Sequence, residues 1–81
     1  MSASRDLRRA DDRLVMVISG WLARHVSNRE LAGELAVAHG LSPEQAKAVD
    51  ELRAELTGPR ERAELEMIAR ETLETLAVAA E

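Results

Sequence analysis

Residues 27–30 read Ser-Asn-Arg-Glu, and whether the chain breaks there decides the fold. The spacing fits a capping box. Ser27 would accept from the backbone N–H of Glu30, and the Glu30 side chain would reach back to the N–H of Ser27. With a break or kink at Ser27 the chain makes four helices. Without it the first helix runs on to His39 and there are three. Downstream, "RELAGELAVAH" puts Leu31, Leu35 and Ala38 on one face, with Ala32 and Ala36 beside them.

Upstream lies "LVMVISGWLA", residues 14–23, between Arg13 and Arg24. Ser4 or Ser2 can cap the helix that contains it, with Asp6 in its first turn. Leu7, Ala10, Leu14, Val17, Ile18, Trp21 and Leu22 recur at helical spacing. Five consecutive apolar residues, Leu14 to Ile18, cover the whole circumference of a helix at about 100° per residue. A helix apolar all round is expected to be buried all round, and a second copy of the chain would supply the missing cover. Gly20 then suits a close backbone approach, and Trp21 an anchor at the rim of the contact. The sequence therefore predicts a self-association seam at Val15, Ile18, Gly20, Trp21 and Leu22. The alternative is that this helix is the centre of a monomeric bundle.

Further along, Gly40 is placed to stop a helix, and Ser42 with Pro43 restarts one as N-cap and first helical residue. Ala46, Val49, Leu52 and Leu56 form the next apolar stripe. "TGPR", residues 57–60, ends that helix, and Pro59 is expected to open the last one. There Leu65, Ile68, Ala69, Thr72, Leu73, Leu76 and Ala80 face inward. The joins are too short for anything except neighbouring helices that turn back sharply. The expected fold is all-α, a single domain over residues 1–81, built as a small bundle of three to four helices that forms a homodimer through the first.

Composition narrows the function. With 81 residues, no Phe, no Tyr and one Trp, the core must be aliphatic and small. There is no Cys, so neither a disulfide nor a thiolate metal site can stabilise it. Net charge is −4, and the acidic residues concentrate in the second half. That half would repel a phosphate backbone or an anionic bilayer and could face a basic protein partner. Arg5, Arg8, Arg9 and Arg13 near the start are interleaved with Asp6, Asp11 and Asp12. The apolar run is about half of the roughly 20 residues that a bilayer span needs. Three aspartates in its n-region argue against an export signal, so a cytoplasmic chain is expected.

Chemistry-bearing residues are sparse. His25 and His39 are not at i, i+4 and have no Cys or carboxylate spacing that completes a metal set. Each falls near an expected helix end, where a cation suits the helix dipole. In a continuous first helix, His25, Asn28 and His39 would form a polar line beside Trp21 and Leu35. The last helix lacks the inward Glu-x-x-His pairs of a di-iron bundle. The serines have capping or packing explanations and no glycine elbow. Neither metal nor cofactor is expected.

Two stretches resemble known families. "VSNRELAGELAVAHGLSPEQAKAV", residues 26–49, resembles the helix-turn-helix of LuxR-type regulators, which implies a DNA-binding transcriptional regulator. Its recognition helix would carry Lys47 and Arg53 against Glu44, Asp50, Glu51 and Glu55, so nucleic acid is not the expected partner. "LRRADDRL", residues 7–14, is similar to the N-terminal segment of the all-helical chorismate mutases, as are the lengths of the three-helix reading. That resemblance implies a dimeric enzyme holding a dianion, with Arg8 at one cation position and Arg24 or His25 at the next. A lysine expected near Ala36 is absent. The reading that remains is a helical, non-enzymatic module for protein–protein contact and dimerisation.

Overall fold

The computed structural model describes the backbone of residues 9–79 and the side chains of residues 12–78. Four helices follow in order: α1 Arg9–Leu22, α2 Asn28–Ala36, α3 Pro43–Leu56 and α4 Arg62–Ala79. No strand occurs among the described residues. The expected caps at Ser2 or Ser4, together with Asp6, Leu7, Arg8 and Ala80, lie outside them.

The chain breaks at Ser27, and both halves of the capping box form. Ser27 Oγ accepts from Glu30 N–H at 3.0 Å, and Glu30 Oε1 accepts from Ser27 N–H at 2.9 Å. Immediately before it, α1 closes in a left-handed cap. Arg24 has φ 69°, its N–H donates to Trp21 O at 3.0 Å, and the His25 N–H donates to Gly20 O at 2.8 Å. These two bonds satisfy carbonyls that a helix end otherwise leaves open. Val26 then folds back over α1. Its Cγ2 lies 3.0 Å from where a Cβ on Gly20 would sit, so the close approach to Gly20 comes from the chain's own Val26.

The second turn keeps Gly40 in the left-handed region at φ 76°, although α2 already ends at Ala36. Ser42 caps α3, with Pro43 in its first turn, and Gln45 completes a second capping box. Gln45 also does something unexpected. It is buried, and its Nε2 donates to Leu76 O at 3.2 Å, near the end of α4. The third turn is longer than expected: α4 starts at Arg62, three residues past Pro59. Arg60 spans this turn, bound to Glu55 at 2.6 Å and within 3.6 Å of Glu64.

Each helix packs on two others, α1 on α2 and α4, and α3 on α2 and α4, so the four close a ring. Leu14, Ile18 and Trp21 of α1 meet Leu31 and Leu35 of α2, Val49, Leu52 and Leu56 of α3, and Leu65, Ala69 and Leu76 of α4 in one core. Trp21 is 0% exposed. Its Nε1–H donates to Asn28 Oδ1 at 2.6 Å, and the Arg62 guanidinium stacks 3.9 Å over its ring. Arg62 Nη2 also donates to Trp21 O at 2.7 Å. One tryptophan thus ties α1, α2 and α4 together, a large share of the burial in a core without another aromatic.

Candidate interaction surface

The residues expected to form the seam separate into two groups. Ile18 and Trp21 face inward and are covered by their own chain, so neither stands at the rim of a contact. Leu22 is half-buried against the same core, and Gly20 lies under Val26. All-round burial of α1 is not needed, because the apolar girdle opens on one side. Val15 is 36% exposed and Met16 74% exposed.

Met16 borders a groove between α1 and α2. One hollow of about 430 Å³ is lined by Asp12, Arg13, Met16, Val17 and Glu34. A second, of about 450 Å³, shares Val17 and Glu34 and adds Val26, Arg29, Glu30 and Gly33. Together they run along the junction of the two helices. Arg13 spans it, with Nε 3.0 Å from Glu34 Oε1 and Nη2 3.2 Å from Oε2. The hydrogen bond from Arg13, more than its charge, holds the Glu34 carboxyl below the usual carboxylate range. Val37, which caps the C-terminus of α2, is 71% exposed.

Arg24, His25 and His39, the other candidate site residues, are all exposed, and none lines the α1–α2 groove. Arg8 lies outside the described residues. Arg24 acts at a distance on Glu66, whose carboxyl is held low first by the hydrogen bond from Arg62 at 2.8 Å, then by the charges of Arg62, Arg70 and Arg24. His25 and His39 sit in different turns, because the break at Ser27 separates them. The polar line of a continuous helix therefore does not form. The long first helix of a chorismate mutase is also lost, since α1 ends at Leu22.

The opposite side, α3 and α4, carries exposed carboxylates. Glu44 and Glu74 line a hollow of about 530 Å³ with Thr75 and the exposed Val78. Helix α2, the turn and α3 follow a helix-turn-helix order, yet α3 carries four carboxylates against two cations. Such a helix opposes the phosphate neutralisation that gives DNA readers their affinity. No group of His, Asp or Glu among the described residues is arranged to hold a metal ion. No described helix is long and apolar enough to cross a membrane.

Several participants escaped sequence reasoning. Met16 belongs to the apolar run, yet it stands on the side of α1 away from Leu14 and Ile18 and is exposed. Gly33 had a visible signal, a glycine inside a helical pattern. Gln45 had one too, standing four residues before Val49 on the buried stripe. Nothing in the sequence pairs Trp21 with Asn28 or Arg62. No protein-family model matches this chain, and neither a curated protein nor a solved structure matches it.

Proposed function

We propose that this chain is a non-enzymatic interaction module. It associates with itself through the α1–α2 side and offers the acidic α3–α4 side to a basic protein partner, in the cytoplasm. The observation that carries this reading is the apolar lining left open at the α1–α2 groove, Met16, 74% exposed, beside Val17 and Val26. Exposed apolar side chains flanking a polar-rimmed groove mark contact surfaces when they cluster. The acidic side supports the second half of the proposal, because a surface of one sign steers an oppositely charged partner.

The test is absolute mass by light scattering across a dilution series. A mass of two copies that falls towards one on dilution is expected. One copy at every concentration, up to several hundred micromolar, contradicts self-association. A titration of fluorescent duplex DNA separates the regulator reading. No salt-sensitive binding is expected, and binding that weakens steeply with added salt would contradict the module.

A further inference from the structure

We infer that the α1–α2 groove receives the same groove of a second copy, with Gly33 at the point of closest approach. This rests on the self-association reading and assigns its face. Three of the four glycines have a reason inside the chain. Gly20 lies beneath Val26, Gly40 holds φ 76°, and Gly58 makes the turn after α3, its N–H donating to Glu55 O at 3.1 Å. Gly33 has none. It sits inside α2 with helical neighbours on both sides, and a Cβ built there meets nothing within 4 Å. Glycine is a poor helix former, and its use in a helix is to let another backbone approach. In this chain no other backbone does so at Gly33, and the open space belongs to the groove.

Charge selects a second copy as the occupant. The groove is lined by three carboxylates, Asp12, Glu30 and Glu34, and two arginines, Arg13 and Arg29. From Pro43 to Ala79 the chain has nine carboxylates against five cations. Two identical acidic faces repel each other. A face that carries both signs side by side can lie against itself, as a two-fold contact requires. Met16, Val17 and Val26 line the groove and supply the apolar surface to be buried.

The test is sedimentation equilibrium on the full chain and three variants, each checked for helix content by circular dichroism. Gly33→Leu and Met16→Glu are both expected to keep the fold, since one fills open space and the other is exposed. Each should raise the dimer dissociation constant by about tenfold or more. Val78→Glu, on the acidic side, should leave it unchanged. A dimer insensitive to Gly33→Leu and Met16→Glu overturns this face and leaves self-association standing. Tighter association of Gly33→Leu overturns the close approach. A wild-type chain that stays monomeric overturns both.

Discussion

Arg24 is the one non-glycine residue at positive φ among the described residues. A side chain at φ 69° is disfavoured by contact of its Cβ with the following carbonyl, and glycine would take the position freely. Arg24→Gly is expected to raise stability by about 0.5–1 kcal/mol, less what is lost from its charge near Glu66. Urea denaturation measures it, and a loss would mean that the charge outweighs the strain. Trp21 gives the opposite case. Its indole N–H has one partner, Asn28. Asn28→Ala leaves that donor buried and unpaired, which costs about 1–3 kcal/mol. An unchanged unfolding midpoint would show that the bond is replaceable. The seam residues also show what a sequence can hold at this scale. Periodicity places Leu14, Ile18 and Trp21 on one stripe, two of them expected in the seam and all three found in the chain's own core. It did not say who covers them, because the same stripe serves an internal core and an intermolecular one. Asn28 and Arg62 meet Trp21 from two other helices, a proximity that only the packed ring supplies.

At the level of elements, local capping chemistry was the most legible part. The Ser27 box and the Ser42–Pro43 start stand where the residues put them, because each involves neighbours a few positions apart. Helix ends without such chemistry moved: α2 stops short of Gly40, and α4 begins after Pro59. Helix α2 is the shortest of the four and carries Gly33 in its middle. In the monomer, Gly33→Ala should stabilise it by about 1 kcal/mol, the usual helix preference of alanine over glycine, since the added methyl meets no atom. For a domain of this size that is a rise of roughly 4–8 °C in Tm. A fall would show that the backbone at Gly33 is held in a way that alanine cannot follow. The ion pairs between and along helices predict acid sensitivity. Glu34 and Glu66 are both held below the ordinary carboxylate value in the folded chain. Their contribution is therefore complete above the unfolded value, about 4.3, and is lost as pH falls through the lower folded value. Urea midpoints measured from pH 6 to pH 3 should fall, and Glu66→Gln should make that fall shallower. The same slope in both proteins would contradict the assignment.

Over the whole molecule, four helices in a ring leave two unlike sides. The α3–α4 side is acidic and self-repelling. The α1–α2 side carries both signs of charge, is grooved, and is lined by Met16 and Val17. The charge asymmetry was plain in the sequence, because it is a property of totals. The groove was not, because it exists only once Arg13 lies opposite Glu34. Methionine methyl groups report directly on self-association through that groove. Of the three methionines, Met16 lies at the groove and Met67 is exposed on α4, away from it. A carbon–proton correlation spectrum of the methyl-labelled chain, recorded across a dilution series, is the measurement to make. The Met16 resonance should move with concentration while Met67 stays fixed. A fixed Met16, or a Met67 that moves in its place, would contradict self-association through the groove.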